Sequence, residues 1–250
     1  MAIKDKAKLH ILTGTLLICA MTVLAVDKDN AKETERNASL LIEPDQLQKK
    51  LNDKTLRVLD VRSQIEYAKA HIPGAVRVES GDWKNLAVAE NGLHDAEGWA
   101  KRVGSLGVTS DTHVIVYGSK VSDSARIWWL LKYVGVKNAS LLNGGWEWWT
   151  KKDRPVESST PDISPSRFEP QFQADRLAEI DSVKKSLDTE NVKVVDTRSD
   201  GEFADGRIPD SIHLEWTHLL SEDGRFKTTQ QLNSLFRKQG ILPAETAVCY

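Results

Sequence analysis

Cysteine is scarce in this chain, whose 250 residues include only Cys19 and Cys249. A fold held together by several disulfide bonds is therefore excluded. The chain also lacks a large net charge, because it has 34 basic and 36 acidic residues and no long run of either sign. We therefore expect no nucleic-acid partner, although a small anionic substrate is compatible with this balance. Hydrophobic residues make up 40% of the chain, enough for a substantial core.

The N-terminal segment differs from the rest of the chain. Lysines at positions 4, 6 and 8 precede an apolar run over residues 9–25, an order that is typical of an export signal. We predict a signal peptide over residues 1–25, cleaved after Ala25, and an exported, periplasmic protein with no membrane attachment after cleavage. A retained anchor is the alternative, because about 20 apolar residues would span a bilayer.

Residues 26–39 are polar and charged and show no apolar period, so we interpret them as a flexible tether. This tether would join the signal to the folded part of the chain, which begins near residue 40. Removal of the signal would leave Cys249 as the one cysteine of the mature chain, and that chain could form no internal disulfide.

Two parts of the chain resemble each other at a fixed separation. A helix pattern followed by the strand pattern Leu56–Arg62 recurs 136 positions later, where Asp196 corresponds to Asp60. Further on, His113–Tyr117 corresponds to Thr246–Tyr250 at a separation of 133 positions. We interpret the two parts as a duplication, with one domain over residues 40–150, a Pro-rich linker over 151–171 and a second domain over 172–250.

Strands that alternate with helices in each part predict an α/β fold of two domains, each with a largely parallel central sheet. After Tyr117 the first part continues through a loop over Gly118–Ser124, a helix over Ala125–Val134 and a strand over Ala139–Leu142. The second part stops at Tyr250, so we expect its domain to be incomplete and cut short before the corresponding loop. We also expect this half to be less stable and to unfold separately.

Several short motifs occur in the same order in both parts, and together they resemble the rhodanese family. In the first part these motifs are Leu59–Arg62, Glu66–Tyr67, His71–Ala75, Val114–Tyr117 and Leu142–Trp146. Over most of residues 40–250 the chain is similar to tandem-domain thiosulfate sulfurtransferases and to their relatives that use 3-mercaptopyruvate. The resemblance implies two rhodanese-like domains, of which the second usually carries the catalytic cysteine.

In such enzymes the catalytic cysteine follows a strand-ending tyrosine, in a loop that leads into a helix. In the first part Gly118 occupies the position of this cysteine. In the second part the corresponding position is that of the residue after Tyr250. The resemblance thus implies no catalytic residue within the 250 residues. It also implies a small anionic sulfur donor, a thiol or cyanide acceptor, a cysteine persulfide intermediate, and no metal or organic cofactor.

Asp196 and Arg198, which follow the strand of the second part, are the candidate substrate-binding residues. Asp60 and Arg62 are their counterparts in the first part. Two interpretations stay open for such a pair at the end of a strand. It either ties loops together as an ion pair, or it lies near the substrate in the domain that should contain the active loop.

Cys249 invites assignment as the nucleophile, but it corresponds to Val116 inside a strand. A strand cysteine usually acts as a small hydrophobic residue, so we predict that Cys249 is not catalytic. The histidines show no spacing that is typical of a metal site. We expect the tryptophans to serve in core and interdomain packing rather than in stacking on nucleic-acid bases.

Two other functions stay open at this point. The first is a non-catalytic rhodanese-like binding or regulatory module. The first part already resembles such a module, because Gly118 at the place of the catalytic cysteine cannot act as a nucleophile. Anion chemistry of the phosphatase or arsenate-reductase kind is the second, because it uses a similar loop. The length of the loop after the strand-ending tyrosine of the second part would distinguish these enzymes from a sulfurtransferase.

Export leads to a prediction about the mature N-terminus. When the chain is produced in a bacterium with a periplasm, the mature protein should begin at Val26, because signal peptidase cleaves after small residues such as Ala25. Mass spectrometry of the periplasmic fraction measures this terminus. Ala25→Trp, which should block cleavage, serves as the control, and recovery of the uncleaved parent chain from membranes would support the anchor instead.

Overall fold

The computed structural model describes residues 40–250. The predicted signal peptide (1–25) and tether (26–39) lie outside the described residues. Within residues 40–250, no helix has both the length and the apolar character needed to cross a lipid bilayer.

The first half contains five strands and six α-helices between residues 41 and 150. The strands are β1 (Leu41–Ile42), β2 (Leu56–Asp60), β3 (Val76–Arg77), β4 (His113–Tyr117) and β5 (Ala139–Leu142). The helices are α1 (Pro44–Lys50), α2 (Gln64–Lys69), α3 (Ser80–Val88), α4 (Ala96–Ser105), α5 (Val121–Tyr133) and α6 (Gly145–Thr150), with a short 3-10 helix at Gly92–His94. All strand pairs are parallel, in the order β1-β5-β4-β2-β3.

The second half forms a smaller sheet of three parallel strands in the order β7-β6-β8. Its elements are α7 (Ile180–Leu187), β6 (Val192–Asp196), α8 (Asp200–Asp205), β7 (Ile212–His213), α9 (Thr229–Lys238) and β8 (Thr246–Cys249). Short 3-10 helices occur at Ala174–Arg176 and Trp216–Leu219. The predicted α/β class with parallel sheets is therefore confirmed.

Local sequence signals explain several of these elements. The central strand β4 is almost wholly apolar because helices cover both faces of a parallel sheet. Helix α2 begins with a capping box in which Ser63 N–H donates to Glu66 Oε2 (3.0 Å) and Glu66 N–H donates to Ser63 Oγ (3.3 Å). Ser199 and Glu202 form the same box at the start of α8.

The start of helix α5 differs from our prediction. We expected a loop over Gly118–Ser124 and a helix that begins near Ala125. The helix instead begins at Val121, its N-cap Lys120 makes no side-chain capping bond, and Ser124 Oγ donates back to Lys120 O (3.3 Å) inside the first turn. Asp123 in that turn complements the positive end of the helix, which favours the earlier start.

The Pro-rich segment 151–171 packs along the first half. Glu157 pairs with His71 through two backbone hydrogen bonds, of 2.8 and 2.9 Å. Ser166 N–H donates to Gly104 O (2.9 Å), and Phe168 is buried. Several independent contacts therefore hold the linker against the domain that precedes it.

One hydrophobic cluster extends through both halves, and a second, smaller cluster lies within the first half. Side chains of the second half, among them Leu219, Phe226 and Phe236, belong to the same buried cluster as Trp128 and Leu131 of the first half. Phe226 N–H also donates to Asn143 Oδ1 (3.0 Å). Because burial of this shared surface stabilises both halves together, we no longer expect the second half to unfold separately.

This shared core predicts one cooperative unfolding transition for residues 40–250. Phe226→Ala should lower the unfolding free energy by roughly 3–5 kcal/mol, because a buried aromatic ring is lost. Tryptophan fluorescence, to which the first half contributes seven of the eight tryptophans, and circular dichroism, which reports on the whole chain, should show the same lowered midpoint. Phe203→Ala, at a partly exposed position, is the control. Two separate transitions in the parent chain would contradict the prediction.

Candidate functional site

The connections of the sheets locate a crevice in each half. In the first half the chain leaves β2 towards β3 on one side and leaves β4 towards β5 on the other side. Ligands of open parallel sheets bind beyond the carboxyl ends of strands at such a point of divergence. In the second half β6 leads to β7 on one side, and β8 lies on its other side. The ends of β6 and β8 therefore correspond to those of β2 and β4.

A buried ion pair with a tyrosine occupies this place in the first half. Arg62 donates to Asp60 Oδ1 from its backbone N–H (2.9 Å) and to Asp60 Oδ2 from Nη2 (2.6 Å). The same Nη2 donates to Ala70 O (2.7 Å), which closes the segment after β2. The Tyr117 hydroxyl donates to Asp60 Oδ2 (2.5 Å) and accepts from Ile72 N–H (3.1 Å).

The same arrangement occurs in the second half. Arg198 donates to Asp196 Oδ1 from its backbone N–H (3.0 Å) and to Asp196 Oδ2 from Nη2 (2.6 Å). Its Nη2 also donates to Gly206 O (2.7 Å), and the Tyr250 hydroxyl accepts from Ile208 N–H (2.9 Å). The two clusters, Asp60–Arg62–Tyr117 and Asp196–Arg198–Tyr250, are called the Asp–Arg–Tyr clusters below.

The electrostatics of the second cluster favour its charged form. Burial alone would raise the pKa of Asp196, but the hydrogen bonds from Arg198 outweigh burial and hold that pKa below its usual value. The hydrogen bond to Asp196 in turn raises the pKa of Arg198. Burial, with the Asp196 charge nearby, raises the pKa of Tyr250, so this phenol stays protonated at neutral pH.

The structure thus brings the two predicted substrate-binding residues together as an ion pair. Asp196 is fully buried and both of its carboxylate oxygens are bonded to Arg198. These contacts are those of a structural clamp that holds the turn after β6. Contact of either residue with a substrate stays a prediction.

The two clusters differ in how they are covered. In the first half the Arg62 guanidinium lies 3.7 Å from the ring centre of Trp146, and its side chain is 2% exposed. In the second half Arg198 lies 5.2 Å from the ring centre of Tyr250 and its side chain is 22% exposed. The cluster of the second half is therefore the more accessible of the two.

The position after the strand-ending tyrosine is crowded in the first half. A Cβ atom on Gly118 would lie 2.7 Å from Val61 Cγ2 and 2.9 Å from Ser124 Oγ. The Gly118 carbonyl accepts from Trp146 N–H (3.1 Å), and a Cβ on Gly145 would come within 2.4 Å of that carbonyl oxygen. This place therefore has no nucleophile, and a side chain on Gly118 would overlap Val61 and Ser124.

Cys249 lies in strand β8, next to Val195 of β6. Its side chain packs against the shared core, as a residue of a strand should.

Other side chains that the sequence singled out have structural contacts. Arg126 pairs with Asp123 on helix α5 (3.3 Å), and Trp128, Trp129 and Trp149 are buried. Within residues 40–250 there is no group of three histidine, cysteine or acidic side chains that could hold a metal ion. One important contact was missed, because no local pattern marks it: Trp148 Nε1 donates to Asp223 O across the two halves (2.8 Å).

The comparison with known families gives two matches along the chain. The Rhodanese-like domain model matches residues 43–152 and again residues 179–250. The chain belongs to the rhodanese family. The two matched segments contain the two Asp–Arg–Tyr clusters, so the clusters mark equivalent places in two rhodanese-like segments.

Individual relatives share much of the chain. The thiosulfate sulfurtransferase of Bos taurus is 29% identical over 210 residues, covering 74% of this chain and 71% of the relative. The sulfur carrier protein TtuD of Thermus thermophilus is 29% identical over 236 residues, covering 84% and 81%. Among solved structures, the 3-mercaptopyruvate sulfotransferase SseA of Escherichia coli superposes with a TM-score of 0.70 at 25% identity, covering 80% of this chain and 83% of SseA.

The buried pair of the second half predicts a specific acid response. Because the pKa of Asp196 is lowered in the folded state, its contribution to stability is present above the unfolded value of about 3.9 and is lost as the pH falls through the folded value. Asp196→Asn should remove this part of the acid dependence and cost about 3 kcal/mol at pH 7, since Arg198 loses its partner. Denaturant unfolding at several pH values measures both effects.

Asp162→Asn is the matched control for this experiment, because Asp162 is exposed and makes no ion pair within residues 40–250. It should leave the unfolding free energy at pH 7 unchanged. A stability of Asp196→Asn equal to that of the parent chain would show that the clamp does not hold the second half together.

Proposed function

We propose that this rhodanese-family protein is a sulfurtransferase that moves a sulfane sulfur from thiosulfate, or from 3-mercaptopyruvate, to cyanide or to a thiol acceptor. The names of its matched relatives support this class of reaction. The observation that carries the proposal is the cluster Asp196–Arg198–Tyr250 at the strand ends of the second half. It anchors a tyrosine after which the catalytic cysteine of such an enzyme would follow.

The backbone around Tyr250 supports this placement. Tyr250 N–H donates to Val195 O (3.0 Å), and Thr197 N–H donates to Tyr250 O (2.9 Å). Tyr250 therefore continues the ladder between β6 and β8, and a residue joined to its carbonyl would leave the sheet at the crevice. In the first half a helix begins within four residues of the equivalent tyrosine. A cysteine between such a strand and helix gains thiolate character from the helix N-terminus.

The proposed reaction has two steps and needs no cofactor. The cysteine thiolate attacks the outer sulfur of thiosulfate, the sulfur–sulfur bond of thiosulfate breaks, and sulfite leaves with the bonding electron pair. The enzyme then holds a cysteine persulfide. Cyanide attacks the outer sulfur of the persulfide, which gives thiocyanate and restores the thiolate. Thiosulfate and cyanide here are the small anionic donor and the acceptor that the sequence led us to expect.

The first half suits a second, non-catalytic role. Gly118 has no side chain, and a Cβ there would overlap Val61 and Ser124, so this half offers a rhodanese-like surface without a reactive group. We propose that it supports the second half through the shared core and contributes to binding rather than to chemistry. We also propose that the protein is exported to the periplasm, on the strength of the basic and apolar residues within positions 1–25.

Cyanide-dependent formation of thiocyanate tests the proposal. The 250-residue chain should show no such activity, because Gly118 provides no thiol and Cys249 lies within a strand. A longer chain from the same gene that carries cysteine directly after Tyr250 should be active, and replacement of that cysteine by serine should abolish the activity. Activity of the 250-residue chain that Cys249→Ser removes would overturn the proposed placement.

Gly118→Cys examines the first half in the same assay. It should stay inactive and should lose roughly 1–3 kcal/mol of stability, because the new side chain overlaps Val61 and Ser124. Gly201→Cys is the control, since a Cβ at Gly201 meets no atom within 4 Å. Activity gained by Gly118→Cys would show that the first half also forms a working site.

A further inference from the structure

A cavity of about 330 Å³ lies where the two halves meet, and its lining includes Gly118 and Ser119, which directly follow Tyr117 of the first Asp–Arg–Tyr cluster. Its first-half side is formed by this loop after β4, by the start of helix α5 and by the turn between β5 and α6. Leu141 and Leu142 give this side an apolar surface, and both are buried. Trp216 and Leu220 of the second half form the facing wall. A mainly apolar cavity of this size matches the lower end of small-molecule sites in proteins.

A hairpin of the second half forms part of the wall of the cavity. The hairpin covers residues 220–226, with an antiparallel bridge between Leu220 and Phe226, and its turn residues Asp223 and Gly224 line the cavity. Trp148 Nε1 donates to Asp223 O (2.8 Å), and the Arg225 guanidinium lies 4.1 Å from the ring centre of Trp148. Specific contacts between the halves thus build the cavity.

Side chains of both charge signs line this cavity. Lys120 and Glu147 line it from the first half, and neither forms an ion pair with another residue of the range 40–250. Asp223 lines it as well, but its carboxylate is already bonded to Arg225 (3.0 and 3.1 Å). The part of the chain that the structure describes therefore offers the cavity one available cation and one available anion.

We propose that this cavity binds a small zwitterion of the α-amino-acid type. Lys120 would receive the carboxylate, Glu147 would receive the ammonium group, and the apolar side chain would lie against Leu142 and Trp216. A simple anion would leave Glu147 as an unmatched like charge, and a simple cation would leave Lys120 unmatched. The proposal goes beyond sulfur transfer and involves no covalent step, so it stands whether or not the protein transfers sulfur.

Titration of the 250-residue chain with L-methionine tests the proposal. Calorimetry measures the affinity, and the fluorescence of Trp216 in the cavity wall gives a second signal. Two analogues each lack one charge: the amine formed by decarboxylation of methionine, and the acid that lacks its amino group. Each analogue should bind roughly tenfold more weakly than methionine, because one charge-assisted hydrogen bond is lost.

Charge-neutral variants assign the two ends of the ligand. Glu147→Gln should weaken the binding of methionine and strengthen the binding of the deaminated acid, because a like charge is removed. Lys120→Gln should weaken the binding of methionine and strengthen the binding of the amine for the same reason. Glu97→Gln and Lys101→Gln, at exposed positions on helix α4 away from the cavity, are the controls and should change nothing. All four substitutions are at exposed side chains, so the fold should tolerate them.

Three results would overturn the proposal. The first is the absence of methionine binding by the parent chain. The second is equal affinity for methionine and both analogues, which would mean that the charges play no part. The third is methionine binding that neither Glu147→Gln nor Lys120→Gln alters, which would place the ligand elsewhere on the protein.

Discussion

The interaction on which the rest of this structure depends is a carboxylate–guanidinium pair buried at the end of a strand. Asp60 and Asp196 are fully buried, so each must be matched by a cation and by hydrogen bonds. The matching arginine is only two residues further on, and it also bonds the backbone eight residues after itself. This geometry fixes the turn that leaves the strand and positions the tyrosine of the neighbouring strand.

The Asp–Arg–Tyr clusters of the two halves have different surroundings. In the first half Trp146 covers the arginine, and the backbone around Gly145 packs onto Gly118, with a cavity beside them. In the second half Arg198 is more exposed than Arg62 is in the first half, and its cluster includes Tyr250.

The two halves are also joined more closely than a linker would require. Segment 151–171 packs along the first half, the buried cluster extends through both halves, and the hairpin 220–226 is held by Trp148 and Asn143. Their junction consequently includes both a continuous apolar core and a cavity with charged residues around it. Stability and any binding at this junction are therefore properties of the whole described chain.

The sequence alone was sufficient for the fold class and for the strands β2, β4 and β6, and it left open whether Asp196 and Arg198 form an ion pair or lie near a substrate. The strands depend on residues that are near each other in the chain, because each is a short apolar run. Only the tertiary structure decided the crowding around Gly118 and the contact between Trp148 and Asp223, 75 positions apart. These features arise from packing between distant segments, which leaves no pattern in the local sequence.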